Sequence, residues 1–186
     1  MNLAIDPVVQ LGVRLLLTLL FLGTAVHKLR EFRTTSGITA HYLKAFGVPF
    51  SSALAGPVTA ALVGSELTAA GLCAAYPSGL AAAGLVATLL IVYALGMSVS
   101  LVRGLAPEDC GCSWAGTAEQ PAGWALVWRN LVLVGAALLL VPSAVPRSLA
   151  LADYAGAFML GVFGIAIYAT ADVLIANSGL LWGRAS

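Results

Sequence analysis

Five long apolar stretches alternate with shorter polar links along the chain. They cover approximately residues 8–26, 51–75, 79–102, 124–145 and 150–177. A helix needs roughly 20 apolar residues to cross a hydrocarbon core about 30 Å thick, and each stretch is close to that length or longer. The alternation of polar and apolar residues typical of membrane barrels is absent, and helices satisfy their own backbone groups in lipid. The pattern therefore predicts an all-α, polytopic transmembrane bundle of four to five helices.

Composition supports a membrane protein and excludes one class of partner. Of the 186 residues, 60% are hydrophobic and 9% are charged, against about 45–50% and about 25% in ordinary soluble domains. The net charge is +1 and no Lys/Arg-rich run is present, which argues against a nucleic-acid partner. We expect one integral domain over residues 1–186, embedded in lipid as a multi-pass protein of the cell (inner or plasma) membrane.

Two longer polar links hold most of the charge. They cover residues 27–50 and 103–123, and five crossings would place both links and the C-terminal end on one side of the membrane. Seven of the nine basic residues belong to that side, and the positive-inside rule then predicts that it is cytoplasmic. These seven residues are Lys28, Arg30, Arg33, Lys44, Arg103, Arg129 and Arg184.

The second link contains a closely spaced cysteine pair, Cys110 and Cys112, with one glycine between them. A disulfide in so small a ring is strained, which raises its reduction potential and favours exchange. Arg129 is a candidate to stabilise the attacking thiolate, and Asp109 would oppose it. Two alternatives for the pair are a structural bridge and inert thiols. In a third, the protein handles or assembles metal in the membrane, and the pair holds copper(I) or zinc. No metal-ligand set is predicted, because a closed zinc site needs four ligands.

Glu66 lies well inside the second apolar stretch, where an ionisable side chain is costly unless it is neutral, paired or hydrated. Two interpretations stay open, proton transfer during redox turnover and a structural ion pair with Arg14. Cys73 lies seven residues further along and should share the same helix face. Asp153 and Asp172 lie nearer the ends of the last stretch, where hydration is easier, and we assign no role to either.

Aromatic and histidine side chains mark the expected membrane interface. His27 follows the first stretch, and either an interfacial position or a proton relay fits it. Trp124 and Trp128 are spaced i and i+4. They predict an aromatic belt, with a flat wall for a quinone ring as the alternative.

In combination and order, these features resemble the MauE/DoxX family of redox-associated membrane proteins. The resemblance rests on the run from His27 to Phe32, on Gly64–Ser65–Glu66, on the cysteine pair and on the segment from Trp124 to Asn130. It covers roughly residues 8–145 and is greatest to the methylamine-utilisation branch. After the second cysteine, the family pattern would continue with a small residue, an aromatic residue and a glycine. This sequence departs from that pattern, because Ser113 and Trp114 follow Cys112.

The resemblance implies a helical bundle that assists disulfide formation in an exported partner, of the type of the methylamine dehydrogenase small subunit, together with a thioredoxin-like protein. It assigns the redox pair to Cys110 and Cys112, the helix-two carboxylate to Glu66 and the basic link to Lys28 and Arg30. An exported partner implies that the pair faces outward, opposite to the side indicated by charge. The protein would be a thiol–disulfide oxidoreductase. The membrane setting, and not a motif, makes quinone the candidate electron acceptor, because it is the nearest lipophilic sink for the two electrons of a dithiol.

Overall fold

The computed structural model describes residues 4–75, 79–105 and 123–182. Within these ranges six helices follow one another: α1 (Pro7–Arg30), α2 (Phe32–Ala45), α3 (Ser51–Ala75), α4 (Leu80–Val102), α5 (Trp124–Leu138) and α6 (Leu151–Trp182). Two short strands, β1 (Ala4–Ile5) and β2 (Ser143–Ala144), pair in parallel. The predicted all-α class is confirmed. In the described part of the chain, α1, α3, α4 and α6 are long and apolar enough to cross a membrane.

Local sequence explains where the helices begin and end. The Asp6 side chain accepts a hydrogen bond from Val8 N at 2.8 Å and caps α1, with Pro7 at the first helical position. Gly104 ends α4 at a φ of 63°. Leu105 N then donates to Ser100 O at 2.9 Å, which is a common glycine-dependent way to close a helix.

Three of the predicted boundaries were wrong by more than a residue or two. Helix α1 continues to Arg30 rather than residue 26, and α6 continues to Trp182 rather than residue 177. Helix α5 stops at Leu138 rather than residue 145, because Pro142 cannot continue a helix and residues 143–144 form β2. With 15 residues, α5 is about 22 Å long, which is shorter than a hydrocarbon core of about 30 Å.

Helix α2 occupies the polar link at residues 27–50, where no helix was predicted. It contains no long apolar run, so hydropathy does not reveal it. It is separated from α1 at Glu31 and packs mainly on α3. Thr35 and Thr39 are buried there, and Thr59 of α3 donates a hydrogen bond to Thr39 Oγ1 at 2.9 Å.

Close contacts at glycines show the relative directions of the helices. Helices α1 and α6 are parallel, since Leu15 meets Gly161 and Leu16 meets Gly164. A Cβ at Gly161 would lie 2.7 Å from Leu15 Cδ2, so the small residue permits close approach of the two helices. Helix α5 runs antiparallel to α4 and returns to the level where α4 begins. We call the end where α1, α4 and α6 finish and α5 begins the link end, and the opposite one the N-terminal end.

The packed interior lies between α1, α3, α4 and α5, and α6 covers α1. Its largest fully buried apolar residues include Leu17, Phe21 and Leu140. A second apolar cluster near the link end is centred on Met97 and Leu126. Helix α6 leaves many large apolar side chains exposed, including Phe158, Phe163 and Ile167. A surface of this kind is what a helix presents to lipid.

Candidate functional site

The predicted redox residues Asp109, Cys110 and Cys112 lie outside the described residues. The structure describes the helices on either side of them. The link leaves α4 after Val102 and returns to the bundle at Trp124, the first residue of α5. The cysteine pair thus belongs to a segment that joins two neighbouring antiparallel helices at the link end.

Glu66 is fully buried, and its ion-pair partner is Lys28 of α1 rather than Arg14. The structural pair with Arg14 considered from sequence was therefore wrong. Lys28 Nζ contacts Glu66 Oε1 and donates to Tyr93 Oη at 3.0 Å. Tyr93 Oη in turn donates to Glu66 Oε1 at 2.6 Å, and Lys28 Nζ lies 4.5 Å from the centre of the Tyr93 ring. Helices α1, α3 and α4 therefore meet in a hydrogen-bonded triad, which offsets the cost of burying two charges.

A second buried ion pair joins α5 to α6. Arg129 Nη1 contacts Asp172 Oδ1, and both side chains are less than a tenth exposed. The Arg129 guanidinium also lies 4.8 Å from the centre of the Tyr168 ring, within the range of a cation–π contact. The prediction that Asp172 lies where hydration is easier was wrong, because α6 continues past residue 177 and Asp172 is buried well inside it.

The first ion pair and Arg129 of the second line one small cavity between the helices. Its volume is about 20 Å³, which is room for about one water molecule. Lys28, Glu66, Arg129, Asn130 and Tyr168 are among its lining residues. Within the described ranges, Glu66 Oε2 and Asn130 Nδ2 make no hydrogen bond to protein. The cavity is thus lined by two residues, Glu66 and Asn130, that each keep one polar atom without a hydrogen bond to a described group.

A larger cavity lies on the other side of the Lys28–Tyr93 contact. Its volume is about 170 Å³, and it is enclosed by α2, α3, α4 and the end of α1. Most of its wall is apolar, and its charged lining residue is Lys28. The other lining residues are Thr35, Ile38, Thr39, Tyr42, Leu43, Phe46, Val58, Thr59, Leu62, Val92, Tyr93, Gly96 and Met97.

The remaining predicted site residues belong neither to the two buried ion pairs nor to the two cavities beside them. His27 is half-buried and lines a surface depression with Leu22 and Arg30, away from Glu66. Trp124 and Trp128 are 54% and 66% exposed, as expected of an aromatic belt. Cys73 is buried like Glu66, which confirms that they share a face of α3.

At the N-terminal end, an exposed charge cluster ties α1 to α6. Arg147 Nη2 lies 2.9 Å from Asp153 Oδ1 and 3.3 Å from Asp6 Oδ1. Hydrogen bonds to Asp153 and then to Asp6 raise the pKa of the Arg147 guanidinium above its ordinary value. Asp153 is therefore a surface residue near the start of α6, as its position in the sequence indicated.

Comparison with known proteins identifies the family. The family described as Methylamine utilisation protein MauE matches residues 6–143. A methylamine utilization protein MauE of Paracoccus denitrificans is 35% identical over 174 residues, which cover 91% of this chain and 89% of the relative. The chain belongs to the MauE family. A second MauE protein, from Methylophilus methylotrophus, is 30% identical over 176 residues, covering 91% of this chain and 87% of the relative. No solved structure matches significantly.

Two tyrosines beside the buried ion pairs of this MauE-family chain, Tyr93 and Tyr168, were missed from sequence. Each lies in an apolar helix, where a tyrosine carries no mark of the contacts that it makes. Asp172 was discounted because the end of α6 was placed too early. Lys28 was noted only as part of the basic link, although its long apolar stem allows its ammonium to reach a partner inside the bundle. Among the described residues, no group of three or more His, Cys, Asp or Glu could hold a metal ion.

Proposed function

We propose that this MauE-family protein is a membrane thiol–disulfide redox protein of methylamine utilisation. In this proposal Cys110 and Cys112 exchange disulfides with a thioredoxin-like protein and so support disulfide formation in an exported partner protein. The observation that supports it most is the Cys110–Gly111–Cys112 sequence in the link between α4 and α5. The relatives that carry the name methylamine utilization protein supply the physiological setting.

The proposed exchange proceeds through a mixed disulfide. A thiolate of the reduced partner attacks the Cys110–Cys112 disulfide, and one of the two cysteines leaves as a thiolate. The second thiolate of the partner then displaces the other cysteine and closes the disulfide of the partner. The cysteine pair gains two electrons and, after protonation of both sulfurs, two protons. The reduced cysteine pair must pass the two electrons and the two protons to an acceptor before it can react again.

The buried charges of the bundle support a role for the membrane interior in handling these protons. Glu66 lines a water-sized cavity and has one oxygen without a hydrogen bond to a described protein group. It is therefore a better proton carrier in this proposal than His27, which lies in a surface depression. Asp172 offsets the charge of Arg129, so we assign to Arg129 the anchoring of α5 rather than thiolate stabilisation. Asp109, directly before the pair, is expected to oppose thiolate formation.

A trapping experiment tests the exchange step. The chain has three cysteines, so a Cys73→Ala background leaves only the pair. Adding Cys112→Ser should accumulate a covalent adduct with the partner through Cys110, visible on non-reducing gels and identifiable by mass spectrometry. The variant carrying both Cys110→Ser and Cys112→Ser is the matched control and should trap nothing.

The Cys110→Ser variant, which keeps only Cys112 of the pair, is tested in the same way. If neither single-serine variant forms an adduct, the proposal is contradicted. Metal analysis of protein purified without chelator gives an independent result. Stoichiometric copper or zinc without a titratable disulfide would favour the metal-handling alternative instead.

A further inference from the structure

We propose that the cavity enclosed by α2, α3 and α4 binds the ring of a lipid-soluble quinone, with Lys28 donating a hydrogen bond to a ring carbonyl. The binding site is inferred from geometry, and only its role as electron acceptor rests on the proposed function. The volume of about 170 Å³ exceeds that of an engineered apolar cavity of about 150 Å³ that holds benzene. A six-membered ring therefore fits.

The position of the cavity suits a ligand that arrives from lipid. Phe46 and Val92 line it and are 50% and 47% exposed, so the cavity reaches the outer surface of the bundle between α2 and α4. Its inner end is formed by Lys28 and Tyr93. An amphiphile with a ring and a long apolar tail could place the ring inside while the tail remains in the membrane.

Lys28 is the donor that distinguishes this cavity from a simple lipid groove. An ammonium has three protons. Lys28 Nζ donates two of them in hydrogen bonds, to Glu66 Oε1 and to Tyr93 Oη. The Thr39 and Thr59 hydroxyls donate to Thr35 O and Thr39 Oγ1 respectively. The third ammonium proton is thus the strongest donor left for a ligand in the cavity.

The charge balance selects a neutral acceptor. Glu66 already pairs with Lys28, so an anionic headgroup or a fatty acid carboxylate would add an unbalanced charge to an apolar site. A quinone carbonyl accepts a hydrogen bond and brings no charge. The ligand class that fits size, access and charge together is therefore a quinone.

The same location suits the electron balance of the proposed function. Met97 lines the cavity, and α4 ends five residues later, before the cysteine link, a rise of about 7.5 Å along the helix. Formation of the Cys110–Cys112 disulfide releases two electrons and two protons. A quinone takes up both and becomes a hydroquinone, so no further reactant is required.

Photolabelling tests the site directly. The purified full chain in detergent is irradiated with an azido-substituted quinone, with and without excess ubiquinone, and the labelled peptides are mapped by mass spectrometry. We expect label on α2 and α4 that ubiquinone competes away. Gly96→Leu adds a side chain on the cavity wall beside Tyr42, and Val92→Trp obstructs the mouth from an exposed position. Each should reduce labelling at least tenfold.

Matched variants separate the possible causes of a loss. Gly84→Leu lies on the same helix but faces open space, and it should label like the wild type. Lys28→Met with Glu66→Gln removes both charges together and should also lose at least tenfold. The variant with Cys110→Ser and Cys112→Ser should label normally, so failure of the redox proposal would leave this result unchanged.

Three kinds of result would overturn the quinone site. The first is labelling that ubiquinone does not compete, or that maps away from the cavity. The second is equal labelling of the Gly96→Leu and Gly84→Leu variants. The third is equal competition by a saturated phospholipid, which would show a lipid-chain groove.

Discussion

Individual charged residues in the interior of this bundle are balanced in pairs. Lys28 offsets Glu66, with Tyr93 bonded to both, and Asp172 offsets Arg129 beside Tyr168. Burial of an unpaired charge costs far more than burial of a pair, because the partner supplies the attraction that water would otherwise give. Each partner therefore determines whether the other can stay charged inside the membrane.

Glu66→Gln should destabilise the protein through Lys28. The substitution keeps the size of the side chain but leaves a buried ammonium without its counter-charge, a loss of roughly 3–5 kcal/mol for a broken buried pair. The yield of monodisperse protein and its thermal midpoint in detergent should fall, and adding Lys28→Met should restore both. Adding Arg14→Gln to Glu66→Gln is the control and should restore neither. Recovery with Arg14→Gln instead would contradict the structural pairing.

The sequence revealed Glu66 but not its partner. A carboxylate deep in an apolar stretch is conspicuous in any hydropathy profile. Its partner depends on how α1 and α3 align, which periodicity within one helix does not contain. Arg14 lay in the predicted first helix and Lys28 in the link after it, because that helix was predicted to end at residue 26 rather than at Arg30. Only the packed structure shows that Lys28 reaches Glu66.

At the level of the helices, length and apolar character predicted the four described helices that are long and apolar enough to cross a membrane. The bounds of α3 were predicted correctly, and α4 begins one residue later than expected. The misses have physical causes. Helix α2 is held by packing of its threonine face on α3, and α5 is shortened by a turn that strand pairing between β1 and β2 stabilises.

The contact between α4 and the end of α5 should not tolerate a larger residue at Gly79. A Cβ there would overlap the Leu140 carbonyl oxygen, a backbone atom that cannot rotate away. Gly79→Ala should cost roughly 1–3 kcal/mol, as overpacking does elsewhere, and lower the thermal midpoint. Gly84→Ala on the same helix faces open space and should be neutral or stabilising by up to about 1 kcal/mol. Equal midpoints for the two variants would contradict this packing.

The ion pair between α5 and α6 gives a second prediction at this scale. Asp172→Asn leaves the Arg129 guanidinium buried without its carboxylate, so α6 should detach more readily from α5. Limited proteolysis in detergent should then cleave the 139–150 connection faster than in the wild type. The double variant with Arg129→Gln should return to a rate near the wild type. Unchanged cleavage in Asp172→Asn would show that the pair does not hold these helices together.

For the whole molecule, the parallel course of α1 and α6 places the two ends of the described chain on opposite sides of the bundle. Lys28 and Arg129 are buried in ion pairs, so they do not belong to the exposed charge that sets orientation. Arg30, Arg33, Lys44 and Arg103 remain at the link end, and Arg147 lies at the N-terminal end. The excess of basic residues at the link end persists after this correction.

The positive-inside rule therefore predicts that the link end faces the cytoplasm. In a cysteine-free background, Leu105→Cys reports on the link end and Val145→Cys on the N-terminal end, and both positions are exposed. A membrane-impermeant maleimide applied to intact cells should label position 145 and spare position 105. Labelling of position 105 alone would place the cysteine link outside, in direct reach of an exported partner.

The redox state of the cysteine pair is the most direct test of the proposed function. Cells that carry the Cys73→Ala variant are reduced briefly with dithiothreitol and washed, and thiols are then alkylated at intervals with a reagent that shifts mobility on a gel. We predict that Cys110 and Cys112 return together from two free thiols to a disulfide within minutes. A pair that remains reduced after washing, in cells with the methylamine-utilisation partners present, would contradict a thiol–disulfide role.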